Sequence, residues 1–247
     1  MPADYEASEA ARFLTKYPEI QGVDILIPDL AGILRGKRLT RQSLAKLYSE
    51  GIRMPGSVFA LEATGDSVVE SGLTWDEGEQ DRICGAVPGT LMPAPWSERP
   101  LGQALATMID HDGSPFYGDS RAVLAGVLDR FKTDGLYPCI AIELEFYLLD
   151  REPDAEGRPQ PPISPVTKRR DRKTQVLTLT DLSDYERVFA AIDAAAALQG
   201  LPIEGTIKED APAQFEVNLH YSEDALRGAD HGLMLKRLVK CVAERHG

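Results

Sequence analysis

The chain has 247 residues and is short of cysteine, of aromatic side chains and of positive charge. Its three cysteines, Cys84, Cys139 and Cys241, lie far apart with no CxxC spacing. That excludes a disulfide framework and a cysteine zinc site, and leaves buried free thiols in a reducing compartment as the expectation. No apolar run reaches the roughly 18 residues that mark a membrane-spanning helix. The stretch Met1–Glu19 mixes acidic and basic residues without an apolar segment, so no secretory signal is read and the expected location is cytoplasmic. Lysine and arginine number 27 against 39 aspartates and glutamates, a net charge of −12. Nucleic acid is thereby excluded as the main partner, because binding phosphates needs a positive surface. A phosphorylated ligand would need metal ions or local basic groups to approach such a chain.

What is present is an ordinary globular balance, 43% hydrophobic and 27% charged, in an α+β order. The spacing predicts a helix over 6–17, with Ala7, Ala10, Ala11, Phe13, Leu14 and Tyr17 on one side. A hairpin follows, Val23–Ile27 and Ile33–Leu39 about a turn at Asp29–Gly32. Thr40 is a candidate cap for a helix through Leu44, Leu47 and Tyr48, closed by Gly51. Short strands in a Gly/Pro-rich stretch run to Pro100, so the first part reads as a small mixed sheet with one or two helices. A second unit is expected from about residue 105. There Asp119-Ser120 caps a helix with Val123, Leu124, Val127, Leu128 and Phe131 on one face, and Gly135 ends it. A strand spans Cys139–Leu149. Residues 153–173 read as a proline-rich loop ending in a solvated basic run, Lys168–Lys173. Ser183 and Glu186 form a capping box for a helix ended by Gly200. A hairpin at about 203–221 and a last helical stretch from Ser222 complete the pattern.

The carboxylates carry the chemistry. On a strand side chains alternate, so Ile140, Ile142, Leu144, Phe146 and Leu148 line one face of the 139–149 strand while Glu143 and Glu145 share the other. Adjacent like charges cost stability; either the face is simply solvated or a divalent cation compensates them. The later hairpin adds Glu209, just before the turn Asp210–Ala213, and Glu216 on the returning strand, whose polar side also carries Gln214, Asn218 and His220. Oxygen-rich sets of this kind suit Mg²⁺ or Mn²⁺ and not zinc.

At these residues the chain resembles the glutamine synthetase family. Ala141–Leu149 is similar to the family's first metal-binding strand. Lys208–Leu219 is similar to its H-E-x-x-P-G-Q-x-E motif, and the segment from Ala229 to Gly247 to the helix beyond it. The Asp29–Leu39 hairpin is similar to the family's β-grasp domain. The resemblance implies an N-terminal β-grasp domain over 1–105 and the first half of a catalytic domain, antiparallel sheet plus helices, over 106–247. It implies Glu145, Glu209 and Glu216 as ligands of one metal ion and Glu143 as a ligand of a second. Glu204 and Tyr221 fall at nucleotide-contacting positions. The implied reaction is ATP-dependent: glutamate is phosphorylated on its γ-carboxylate and an amine displaces the phosphate. In full-length form such enzymes are homo-oligomers.

Departures from the family pattern bear on the amine. The stretch Met54–Leu61 matches the loop where ammonia-using members carry an aspartate that binds ammonium, and Pro55 stands in its place. Lys208 replaces histidine and Ala213 replaces glycine. The implied acceptor is therefore a polyamine such as putrescine, with an ordinary ammonia-using glutamine synthetase as the alternative. The H-x-H-x-S segment, the arginines and the last metal glutamate of the family have no counterpart. The expectation is that the chain is a front half, inactive alone, which could still bind metal or partner subunits.

Overall fold

The run Gly22–Pro28 is almost continuously apolar, which suits a strand covered on both faces. In the computed structural model, which describes residues 3–247 and side chains from Glu9 onward, it forms the interior strand β1. The expected placement of Ala7 lies outside the described side chains. β1 pairs antiparallel with β2 (Leu34–Thr40) and parallel with β6 (Leu101–Ile109). The sheet continues through β4 (Asp81–Ala86) to β3 (Ile52–Pro55), with the short β5 (Met92–Pro93) also on β6. Helices α1 (Ala3–Lys16) and α2 (Leu44–Ser49) close the core, where Phe13, Leu44 and Leu47 meet Val23, Ile25, Ala104 and Met108. Gly36 is required where β2 crosses β1, because a Cβ there would stand 1.7 Å from the Ile25 carbonyl oxygen.

The turn Asp29–Gly32 is as expected, and Gly51 ends α2 at φ +72°. Thr40 makes no side-chain cap bond; its hydroxyl meets Ser43 Oγ at 2.9 Å instead. Asp119 does cap α3 (Ser120–Thr133), accepting from the amides of Arg121 and Ala122, and also from Thr107 Oγ1 and Met108 N of β6. That tie places α3 in the first compact unit, which runs through Tyr137. The apolar side of α3 is present but uncovered: none of its residues is buried, and Val123, Val127 and Phe131 are exposed.

The second unit begins at Pro138. Its sheet is antiparallel, in the order β7 (Glu143–Tyr147), β9 (Gln214–Leu219), β8 (Ile203–Lys208). Phe215 of β9 packs against Phe189 and Tyr185, with ring centroids 4.9 and 5.5 Å away. Leu235, Leu238 and Val239 of α6 (Ala225–His246) complete this core. The strand expected over Cys139–Leu149 is paired only over β7, because β9 ends at Leu219; Ile140 makes a single bridge to Ser222. Cys139 is consequently exposed, against the expectation of buried thiols, while Cys84 is buried. The capping box is not formed. Ser183 lies inside α4 (Leu179–Asp184), where its hydroxyl donates to the Leu179 carbonyl, and α5 (Glu186–Gln199) starts without a side-chain cap. Gly200 ends α5 at φ +66°, as expected. Within the basic run, Arg170 is not merely solvated: it donates to Asp150 at 2.6 Å and to the Pro161 carbonyl. Among the described residues no helix is long and apolar enough to cross a membrane.

Candidate active site

Antiparallel pairing puts directly opposite side chains on one face. Glu145 stands opposite Glu216, and Glu143 opposite Asn218. Glu143, Glu145, Glu216, Asn218 and Gln214 therefore share the face away from Phe215. Glu209 follows the last residue of β8, and its amide donates to the Gln214 carbonyl at 2.9 Å, which brings the turn 209–213 over the same end of the sheet. Like charges directly opposite each other weaken a ladder by up to about 1 kcal/mol. Among the described residues none of these four glutamates enters a salt bridge.

Glu216 is only 8% exposed, and among the described residues its carboxylate has no hydrogen bond or ion pair. Glu209 shows the consequence. Its carboxyl is held above its ordinary range by lost hydration and then by the charges of Glu216, Glu145 and Asp210, with Lys208 pulling the other way. The side-chain oxygen of Asn218, on the same face, is buried without a partner. Buried anionic and carbonyl oxygens lacking donors are the chemistry of a hard-cation site. The donor set thus fits Mg²⁺ or Mn²⁺ in kind and in facing. As they stand, no three Asp, Glu, His or Cys side chains among the described residues form a closed metal-holding group.

The turn is internally wired. Gln214 donates to Glu145 Oε2 at 2.8 Å and accepts from the Ala211 amide at 3.0 Å. Lys208, fully buried, sends its ammonium to the carbonyls of Glu209 and Ala211. Ala213 closes the turn at φ +53°, a left-handed conformation, at the position where the family motif has glycine. The sequence marked Lys208 only as a departure from that motif. Its placement on the apolar face, opposite Phe215 in the ladder, was the available signal.

Glu204 and Tyr221 lie apart from this cluster. Glu204 sits at the irregularity between Ile203 and Gly205, its carboxylate 4.0 Å from His220 Nδ1. It lines a cavity of about 780 Å³ beside α5, with Phe189, Leu201 and Ile203 on the apolar side and Glu186 and Asp193 on the polar side. Burial pushes the Asp193 carboxyl up. Tyr221 is 77% exposed and takes no part in the core. His231 is half-buried on α6, and burial lowers its proton affinity; His111, His220 and His246 are exposed.

A carboxylate-bearing antiparallel sheet backed by two helices matches a known family. The model of the glutamine synthetase catalytic domain covers residues 117–247, and the chain belongs to that family. It is 44% identical to gamma-glutamylputrescine synthetase PuuA of Escherichia coli K12 over 96% of this chain and 50% of that enzyme. It is 26% identical to the glutamate–isopropylamine ligase of a Pseudomonas species, over 89% of this chain and 47% of that one. Among solved structures, the GmaS/ADP complex superposes with a TM-score of 0.74 at 25% identity, covering 98% of this chain and 50% of the other. The chain spans about half the length of the curated relatives it matches.

Proposed function

We propose that the protein to which this chain contributes is an ATP-dependent ligase that joins the γ-carboxylate of glutamate to an amine, with a polyamine such as putrescine favoured. The observation that carries this is the set Glu145, Glu209 and Glu216, brought to one end of one sheet with no cationic partner among the described residues. These three would hold one Mg²⁺ or Mn²⁺ ion and Glu143 would contribute to a second; when bound, such ions neutralise phosphoryl oxygens. A glutamate carboxylate oxygen attacks the γ-phosphorus of ATP and ADP leaves. The amine nitrogen then attacks the acyl carbon, phosphate leaves and the nitrogen gives up a proton. Glu204 and Tyr221 would contact the nucleotide.

The polyamine assignment is supported by the likeness to the putrescine enzyme over nearly the whole chain and by Pro55. That residue ends β3 without a carboxylate to attract ammonium. The β-grasp identity of the N-terminal sheet, the partition into 1–105 and 106–247, a cytoplasmic location and a homo-oligomer in full-length form belong to the same reading. Its test is ligation by the full-length protein with glutamate, ATP and a panel of amines. Diamines should turn over faster than ammonium; ammonium in the lead would return the protein to the ordinary glutamine synthetases.

A further inference from the structure

Lys208 is wholly buried and faces the Phe215 ring, with Nζ 5.8 Å from its centroid. A buried ammonium persists only where fixed dipoles replace its water. Here those dipoles are the carbonyls of Glu209 and Ala211, the latter at 2.8 Å, and both belong to the turn that carries Glu209. The ammonium therefore reaches from the apolar face of the sheet to the underside of a turn whose carboxylates lie on the other face.

The same turn is held from two further directions. Leu177 N donates to the Lys208 carbonyl at 2.8 Å and Gln175 N to the Asp210 carbonyl at 3.2 Å. The Gln214 side chain links the Ala211 amide to Glu145. Of these ties only the lysine brings positive charge, and that charge opposes the repulsion on Glu209. The cost of burying the charge is matched only by what it does to the turn.

We propose that Lys208 is a positioning residue, whose ammonium splints the turn 209–213 and thereby holds Glu209 toward Glu145 and Glu216 before a cation arrives. Its consequence for metal rests on the proposed function; the splint itself is a property of the metal-free chain. The test compares Lys208→Met, which keeps the length and packing but removes charge and donors, with Lys208→Arg, which keeps both. In metal-free full-length protein, hydrogen exchange at the Gln175, Leu177 and Gln214 amides should speed about tenfold or more in the methionine variant. The amides of Val217 and Leu219 should stay protected. The arginine variant should recover most of that protection. The dissociation constant for Mn²⁺, read by electron paramagnetic resonance, should rise about tenfold in Lys208→Met, the usual scale for a residue supporting metal ligands.

Unchanged exchange at the turn overturns the proposal. So does loosening spread evenly through β9 and α6, or failure of Lys208→Met to fold while Lys208→Arg exchanges with an unprotected turn, since Lys208 would then be a core residue only. Wild-type protein that binds no Mn²⁺ would sink the metal reading instead, and the exchange pattern would still decide the splint.

Discussion

The hairpins β1–β2 and β8–β9 each fix their turn with a buried charge, and they balance it differently. In β1–β2 the Asp29 carboxylate accepts from the amides of Ala31 and Ile33 and from Arg35 Nε at 2.9 Å. Its charge is matched within seven residues of chain. Elsewhere in the same unit Arg82, stacked on Phe116, bridges Glu77 and Asp110. In β8–β9 the Lys208 ammonium holds the turn, but the carboxylates around it outnumber it. A hairpin whose charges close on themselves is architecture; the other keeps Glu216 buried and without an ion pair among the described residues, beside the exposed carboxylates of Glu143 and Glu145.

The sharpest way to break that contrast is to remove one surplus anion. Glu216→Gln or Glu209→Gln should lower ligase activity by about a thousandfold, the upper scale for losing an electrostatic stabiliser of a transition state. The metal-free protein should nonetheless melt no lower than wild type, and a drop in melting temperature would mark these carboxylates as structural. The sign of the pH dependence follows from Glu209. Its folded proton affinity is raised, so its stability contribution is present below the ordinary glutamate value of about 4.3 and lost as pH rises through the raised folded value. In Glu209→Gln that loss should vanish from the pH profile of thermal denaturation.

The opposite substitution comes next in size. Asp29→Ala strips the acceptor from two amides and a half-buried guanidinium, a cost of about 2–4 kcal/mol in urea denaturation. Mn²⁺ affinity should be untouched, because the charge set free belongs to a closed group. An altered affinity would show that the two hairpins are not the independent systems their bonding describes.

How much of this was legible in the sequence follows from what is local. The Asp29 turn, the Asp119 cap, the Gly200 terminus and the alternation that puts Glu143 and Glu145 on one face all depend on neighbours a few residues away, and the structure has them. The length of β7 depends on where β9 ends, seventy-odd residues later, so the local pattern over 139–149 reads longer than the paired strand and Cys139 lies outside it. The Ser183–Glu186 pattern is a valid cap in isolation. It lost to a preceding helical turn that recruits Ser183 for the Leu179 carbonyl. Lys208 was visible as an anomaly but not as a splint, since its partners are carbonyls, which no residue type announces.

The thiols give a smaller contrast between a closed core and an open segment. Burial, with Asp119 adding to it, pushes Cys84 up to about 12, whereas Cys139 lies exposed at the start of the second unit. At pH 8 Cys84 stays protonated and shielded, so a water-soluble thiol reagent should label Cys139 first and Cys84 only on unfolding. Early labelling of Cys84 would mean that the sheet around β4 opens far more readily than its packing suggests.

The smallest effect is expected at Ala213, where three terms nearly cancel. Relief of the left-handed backbone by Ala213→Gly is worth about 1–2 kcal/mol. Against it stand the greater freedom of glycine in the unfolded chain, about 0.5–1 kcal/mol, and loss of a buried methyl, about 0.8 kcal/mol; Ala213 is 1% exposed. Urea denaturation should therefore shift by less than about 1 kcal/mol in either direction. A larger gain would mean that the alanine strains the turn beyond its φ, and that Lys208 and Gln214 hold Glu209 in place against that strain.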